Sequence, residues 1–153
     1  SAIKTFTQKV NWKDLDFIIV DMPPGTGDTQ LTFSQEIKLD GVIIISTPQE
    51  IALLDVKRGI RMFEKLKVNI LGLVDNMSYF IGDDGKKYPI FGEGAVEKTA
   101  NEFSKKFLGQ IPIDINVGKC GDKGKPIVEE DIDSDISKIY LNLAEKLKQE
   151  FIN

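Results

Sequence analysis

One short stretch of the chain combines the residue types that bind a magnesium ion and a phosphate group. It runs from Asp16 to Asp28 and reads DFIIVDMPPGTGD. Four apolar residues precede Asp21, so a buried strand would deliver this carboxylate to the carboxyl edge of a sheet, where open α/β sheets bind ligands. Mg²⁺ takes few protein ligands and keeps several waters. The sequence therefore predicts Asp21 as a Mg²⁺ ligand, directly or through water.

A stiff turn follows this carboxylate. Pro23 and Pro24 fix the backbone φ angle and remove two N–H donors. Gly25 and Gly27 allow the backbone to approach a ligand closely and to present N–H groups to phosphate oxygens. A strand that ends in a Pro-Gly turn with a solvated aspartate is the simpler alternative, but the whole string favours a nucleotide site.

Four short apolar runs are the candidate strands that would position this site. They lack alternation, as expected for strands covered on both faces of a parallel sheet. These runs are Phe17 to Val20, Val42 to Ser46, Ile70 to Val74 and Phe107 to Ile111. Helical stretches are predicted at Thr29 to Lys38, Ile51 to Leu66, Glu93 to Lys106 and Ile136 to Phe151. The alternation predicts a doubly wound α/β domain with right-handed crossovers.

Two further stretches are interpreted as loops. Residues Ile81 to Pro89 are typical of a surface turn, and Asn116 to Pro126 is rich in glycine and lysine. The second loop ends in Gly124-Lys125, but the phosphate-binding pattern GxxxxGK[ST] also requires glycine at 119 and serine or threonine at 126. The chain has Lys119 and Pro126 at those positions, so the pattern is absent there.

Composition excludes several classes of protein. A net charge of −4 and a pI of about 4.9 argue against a nucleic-acid module, which carries a basic face. No apolar stretch approaches the roughly 18 residues of a membrane helix, and we expect no signal peptide. The chain has 153 residues, one cysteine and no histidine. These features favour one cytoplasmic domain without disulfides.

The segment DMPPGTGD is similar to the Walker B and switch II segment of the Mrp/ApbC family of iron–sulfur cluster carrier ATPases, within the MinD/ParA-like deviant P-loop NTPases. Further matching segments follow in order over roughly residues 11 to 150. They are Thr47 to Gln49, Ala52 to Val56, Arg61 to Phe63, Asn76 to Phe80, Ile90 to Gly92, Leu108 to Asp114 and Gly124 to Pro126. An ordered set of this kind is more specific than any one motif.

The resemblance implies that residues 1–153 are the C-terminal portion of a single P-loop ATPase domain. The expected fold is a three-layer, P-loop NTPase-like, mostly parallel sheet with helices on both faces, with the N-terminal strands and the P-loop missing. No Walker A loop of the Gly-Lys-Gly-Gly-Val-Gly-Lys type is present. Because that loop makes most contacts with the β- and γ-phosphates, the full-length protein is the expected ATPase and this chain alone is expected to be inactive.

The resemblance assigns roles to five residues. Asp21 would be the Walker B carboxylate that binds Mg²⁺, and Gly25 the switch II glycine that senses the γ-phosphate of ATP. Asn76 would hydrogen-bond the adenine edge, and Pro112 and Asp114 would flank the base. From the residues alone, a turn cap at a strand end is the favoured interpretation of Asn76. The sequence Ile-Pro-Ile-Asp alone indicates a helix start, with proline near its first position.

The resemblance also raises the question of an iron–sulfur cluster. Many members of the family carry a CxxC pair after Asn-Met-Ser-Tyr-Phe, but residues Ile81 to Tyr88 contain no cysteine here. Asp83 and Asp84 are hard ligands that suit iron–sulfur chemistry poorly. Cys120 is expected to be a free surface thiol, with pairing across a dimer as the alternative. A cluster is therefore expected only in the full-length protein.

Partners follow from the same resemblance. We expect a homodimer in the full-length protein and iron–sulfur client apoproteins, with no nucleic acid and no membrane. Asp55 falls in a region that lies near the nucleotide-dependent dimer interface in relatives, although a solvated helix carboxylate explains it equally well.

Two functions of different classes remain. The first is an ATP-dependent iron–sulfur cluster carrier, and the second is a MinD/ParA-like regulatory or positioning switch. Such switches end in a basic amphipathic membrane helix. The last predicted helix instead mixes Lys146 and Lys148 with Glu145 and Glu150, which favours the carrier. A dehydrogenase would need GxGxxG after the first strand and is excluded.

Overall fold

The computed structural model describes residues 9–22 and 28–152. The strands in this part of the chain are β1 (Val42–Ser46), β2 (Ile70–Ile81), β3 (Lys87–Tyr88) and β4 (Phe107–Ile113). The helices are α1 (Asp28–Glu36), α2 (Glu50–Lys65), α3 (Ala95–Glu102), α4 (Ile115–Asp122), α5 (Ile127–Glu130) and α6 (Asp135–Gln149).

Strand β2 lies at the centre of the sheet. It pairs in parallel with β1 on one side and with β4 on the other, and its far end pairs antiparallel with the short strand β3. Ser46, Asp75 and Gln110 stand side by side on β1, β2 and β4. The carboxyl ends of the three parallel strands therefore meet at one edge, as the alternating sequence pattern predicts.

Helices cover both faces of this sheet. Leu73 and Val74 are consecutive in β2 and fully buried, so they face opposite sides of the sheet. The core around Leu73 consists of side chains from α2 and α3: Leu53, Val56, Ile60, Val96 and Ala100. The core around Val74 consists of side chains from β4, α4, α5 and α6: Leu108, Ile111, Cys120, Ile127 and Ile136. The predicted three-layer architecture is confirmed.

The predicted strand from Phe17 to Val20 is wrong for the structure described. These residues form no strand, and Ile19 is 83% exposed. A strand exists only where a neighbouring backbone supplies hydrogen-bond partners. Among the described residues, β1 pairs only with β2, and nothing pairs with its second edge. The apolar run thus has strand composition without a partner strand.

The predicted loop from Asn116 to Pro126 is also wrong, because it contains all but the first residue of helix α4 and ends at the residue before α5. Asp114 precedes α4, and its side-chain oxygen accepts a hydrogen bond from the backbone N–H of Asn116 at 2.7 Å. Gly124 adopts a left-handed φ of 68° after the helix. The N–H of Lys125 then donates to the carbonyl of Cys120 at 3.0 Å, which is a glycine-dependent helix end.

The remaining helices agree with prediction apart from their ends. Helices α1, α2 and α6 lie within two residues of their predicted bounds, whereas α3 is shorter than the predicted Glu93 to Lys106. It ends early because Ser104 is left-handed, with φ 53°. The N–H of Lys105 then turns back to the carbonyl of Ala100 at 2.8 Å. None of the described helices is long and apolar enough to cross a membrane.

Candidate nucleotide-binding edge

The carboxyl edge of the sheet carries three residues from the segments that resemble the family. Pro48 follows β1, Asn76 lies in β2, and Pro112 lies near the end of β4. The parallel register brings these three strand ends together. Asp21 is different, because it is exposed and follows no strand. Gly25 lies among residues 23–27, outside the described residues.

A cleft of about 450 Å³ opens between the ends of β2 and β4 and the starts of α4 and α6. This volume lies within the range of small-molecule sites. Pro112 and Asp114 both line the cleft, and Asn76 does not. Asn76 stands instead opposite Ile111, the residue before Pro112. The structure thus brings Pro112 and Asp114 into one cavity and leaves Asn76 on the adjoining strand.

Asp114 has a structural role of its own. It is the N-cap residue of α4 through its hydrogen bond with the N–H of Asn116, so the simpler alternative of a helix start describes its local geometry. Burial raises the pKa of the neighbouring Tyr140 hydroxyl, and the negative charge of Asp114 adds to this effect. A carboxylate at this position is held in a fixed direction by the helix it caps.

Sequence reasoning missed the buried carboxylate Asp75. It is fully buried, and neither side-chain oxygen accepts a well-formed hydrogen bond from the described residues. Burial raises its pKa, and the nearby Gln110 side chain opposes that shift only in part. The sequence does contain a signal for Asp75, because an aspartate interrupts an apolar strand directly before Asn76. Polar groups buried in a parallel sheet often mark a functional edge.

Ser78 was also missed. Its side chain is buried, and its hydroxyl donates a hydrogen bond to the carbonyl of Ile111 at 3.1 Å. A serine two residues after a strand-end asparagine gives no sequence signal by itself, because the bond depends on how β2 and β4 pair.

The hairpin from Ile81 to Tyr88 is closed by its own side chains. One oxygen of Asp84 accepts from the N–H of Lys86 at 3.0 Å, and the other accepts from the hydroxyl of Tyr88 at 2.8 Å. These hydrogen bonds lower the pKa of Asp84. Within residues 9–22 and 28–152, no group of three or more histidine, cysteine, aspartate or glutamate side chains could hold a metal ion.

Cys120 is not a surface thiol, and that expectation is wrong. The side chain is 6% exposed and lies in the core around Val74. Helix α4, which the sequence did not predict, turns it inward. A buried thiol cannot meet a second copy of itself across an interface without local unfolding. The pairing of two Cys120 thiols in a dimer therefore has no support in this fold.

Asp55 is exposed on α2 and forms an ion pair with Arg58 at 3.1 Å. Ile51 and Leu54, on the same first turns of the helix, are 77% and 59% exposed. This geometry fits the interpretation of Asp55 as a solvated helix carboxylate. Its place near a dimer interface stays a prediction.

Comparisons with known proteins agree with this architecture. The family model described as ParA, NUBPL iron-transfer P-loop NTPase, matches residues 1–148. An iron–sulfur cluster carrier protein of Pyrococcus horikoshii is 48% identical over 147 residues, which is 95% of this chain and 50% of that protein. One of Aquifex aeolicus is 44% identical over 149 residues, which is 97% of this chain and 41% of that protein. The chain thus spans about half the length of these relatives or less.

Solved structures give the same result for the fold. The nucleotide-binding protein of Archaeoglobus fulgidus, in complex with ADP, superposes with a TM-score of 0.76 at 38% identity, over 88% of this chain and 55% of that one. The cell division ATPase MinD of Pyrococcus furiosus superposes with a TM-score of 0.70 at 23% identity, over 97% of this chain and 56% of that one. The second likeness concerns the fold alone.

The family model covers almost the whole chain, and the carrier proteins are far more similar in sequence than MinD. The chain therefore belongs to the ParA family, among the NUBPL iron-transfer P-loop NTPases.

Proposed function

We propose that this chain is the C-terminal portion of the ATPase domain of an iron–sulfur cluster carrier, in which ATP hydrolysis is coupled to cluster transfer. The observation that carries the proposal is the extent of the likeness. Relatives named iron–sulfur cluster carrier proteins are 44–48% identical over at least 95% of the chain. The matched part includes the Walker B-like segment and the segments that contribute to the carboxyl edge.

The missing half of the site would come from an N-terminal segment that holds the Walker A loop. Two features of the described chain support this. Phe17, Ile18 and Ile19 are 47–83% exposed, and Ile45 on β1 is 59% exposed beside an edge that no described strand pairs. Exposed apolar side chains and open sheet edges are both features that a further segment of chain normally covers. We call the chain together with this segment the full-length protein.

In the full-length protein, Asn76 would hydrogen-bond the adenine edge, and Pro112 and Asp114 would flank the base. The cleft beside Pro112 and Asp114 has the volume such a ligand needs. Gly25 would contact the γ-phosphate. The bound nucleotide would be the substrate: water would attack its γ-phosphorus, and the bond from that phosphorus to the β–γ bridging oxygen would break to give ADP and phosphate.

Asp21 would bind Mg²⁺ directly or through water. The residues fit in the limited sense that Mg²⁺ requires, since it uses one or two carboxylates together with substrate phosphates rather than a protein cage. Asp21 is exposed, so its oxygens are open to such an ion. When bound, Mg²⁺ neutralises charge on the phosphates.

The cluster is the cargo, and its thiolate ligands would come from outside this chain. The one thiol, Cys120, is buried, and in the hairpin from Ile81 to Tyr88 the Asp84 carboxylate already accepts two hydrogen bonds from the hairpin itself. Ligands would therefore belong to the N-terminal segment or to a partner. We further propose a homodimer, client apoproteins that receive the cluster, and a cytoplasmic setting.

A nucleotide-dependent positioning switch is the second candidate. Its support is the MinD-like fold, at 23% identity, whereas the carrier proteins share about twice that identity. The carrier is favoured for this reason.

Calorimetric titration with Mg·ATP tests the proposal. The full-length protein is expected to bind with micromolar affinity. This chain alone should bind more weakly than about 1 mM, because base contacts without the phosphate loop supply only about 4 kcal/mol or less. Micromolar binding by this chain would show that it does not need an N-terminal segment to complete the nucleotide site. No binding by the full-length protein would exclude an ATP-dependent carrier.

A further inference from the structure

The pairing of β2 with β4 is interrupted at the candidate base site. The register runs through Asn76 opposite Ile111 and resumes only at Phe80 opposite Ile113. Three residues of β2 thus stand opposite Pro112 alone. Proline has no backbone N–H and cannot contribute a donor to the ladder here. The interruption follows from that missing donor and from the extra residues on β2.

The interruption is accompanied by backbone strain. Met77, directly after Asn76, has a φ of 54°, and this left-handed conformation costs a non-glycine residue on the order of 1–2 kcal/mol. Its side chain is 40% exposed, so packing around it does not account for the conformation. Strain of this kind persists only where neighbouring contacts hold it, and it is frequent at ligand sites.

One side-chain hydrogen bond spans the interruption. The hydroxyl of Ser78 donates to the carbonyl of Ile111 at 3.1 Å, and Ser78 is 3% exposed. That carbonyl belongs to the peptide group whose nitrogen is the ring nitrogen of Pro112. On the other strand, Ser78 lies two residues beyond Asn76. The bond therefore ties the strand end that carries Asn76 to the peptide that orients Pro112.

We infer that Ser78 is a positioning residue for the nucleotide base: its bond to Ile111 fixes Asn76 and Pro112 relative to each other across the interrupted ladder. The inference rests on the proposed function, because it assumes that these two residues contact the base. Ser78 does not touch the base in this account. It acts by holding a strained strand end in the one arrangement that suits an adenine.

The test compares affinities of the full-length protein for Mg·ATP, Mg·GTP and Mg·tripolyphosphate, the last of which has no base. In the Ser78→Ala variant, affinity for Mg·ATP should fall about tenfold, in line with the loss of a buried hydrogen bond and the release of the strained segment. The preference for ATP over GTP should fall with it. Affinity for tripolyphosphate should not change. Ser78→Thr, which keeps the hydroxyl, should recover most of the loss.

Thr99→Val is the matched control. Thr99 is also buried, and its hydroxyl donates to the carbonyl of Ala95 at 2.9 Å. It lies in α3, which packs on the face of the sheet opposite to α4 and α6, so this variant should lose stability and keep the base preference. If Ser78→Ala does not fold, Ser78→Cys replaces it, because cysteine is close to serine in volume and its thiol is a weak hydrogen-bond donor. This variant should show the same loss of affinity for Mg·ATP and of preference for ATP over GTP.

The outcomes separate the two proposals. If wild-type protein binds Mg·ATP no better than tripolyphosphate, the base site and the inference both fail. If wild-type protein prefers ATP and the Ser78 variants keep the full preference, the proposed function stands and the inference is wrong. The inference is also wrong if Ser78→Ala and Thr99→Val lower the affinities for ATP and tripolyphosphate equally.

Discussion

Replacing Asp21 by asparagine in the full-length protein is expected to lower the rate of ATP hydrolysis about 100-fold. A divalent cation contributes several kcal/mol of charge stabilisation in the transition state, and each 1.36 kcal/mol is a factor of ten in rate. Asparagine keeps the shape of the side chain and removes the negative charge that attracts the ion. Asp21 is exposed, so the substitution should leave stability within about 0.5 kcal/mol of wild type.

Asp16→Asn is the matched control, because Asp16 is an exposed aspartate in the same segment. Steady-state phosphate release, measured at several Mg²⁺ concentrations, should show the loss only in the Asp21 variant, with partial recovery at high Mg²⁺. Wild-type turnover in the Asp21 variant would remove this residue from the site.

Replacing Asp75 by asparagine is expected to stabilise this chain at neutral pH by about 1–3 kcal/mol, because the amide carries no charge that must be desolvated in the core. Burial raises the pKa of Asp75 in the folded state. Between the unfolded and folded pKa values, the folded state therefore binds more protons than the unfolded state. Stability falls as pH rises through this interval, so the penalty is fully present above it.

The asparagine variant carries no charge at any pH. Its advantage should therefore be present at neutral pH and should disappear in acid, below the ordinary aspartate pKa. Urea unfolding at several pH values measures this difference. Asp83→Asn, which changes an exposed carboxyl on the hairpin, should leave stability within about 0.5 kcal/mol at every pH. A variant less stable than wild type at neutral pH would mean that the Asp75 carboxylate is held by a favourable partner.

Periodicity and strand composition predicted most of the sheet and its covering helices. Strands β1 and β4 and helices α2 and α6 lie where their apolar spacing places them, because each buries a face that the pattern itself defines. The run from Phe17 to Val20 has the same composition and still forms no strand in the structure described. Strand pairing depends on the neighbouring strand as well as on the segment itself, and the composition of one segment does not show whether a neighbour is present.

Helix α4 could have been predicted from its two ends. Asp114 caps its start and Gly124 ends it, and both are ordinary signals that the glycine-rich composition between them obscured. The wrong expectation that Cys120 lies at the surface followed from missing this helix. The length of β2 and the interruption after Asn76 could not have been read, because they depend on the pairing with Pro112 on a strand more than thirty residues later.

The candidate site, like the fold, was predicted only in part. Asn76, Pro112 and Asp114 came from motif resemblance, and the structure puts the strand ends that carry them at one edge. Ser78 came only from burial and hydrogen bonding across the sheet, which a sequence does not display, whereas Asp75 interrupts an apolar strand and could have been found from the sequence. The functional roles of Asp21, Gly25, Asn76, Pro112 and Asp114 stay predictions.

Cluster delivery is the most direct test of the central claim, that the full-length protein carries an iron–sulfur cluster whose ligands lie outside this chain. Both proteins would be incubated anaerobically with iron and sulfide, desalted and mixed with an apo iron–sulfur enzyme. The full-length protein should become brown and restore the enzyme's activity, faster with Mg·ATP. This chain should stay colourless, because its only thiol is buried. A brown chain that loses its colour in the Cys120→Ser variant, or a full-length protein that holds no cluster, would contradict the account.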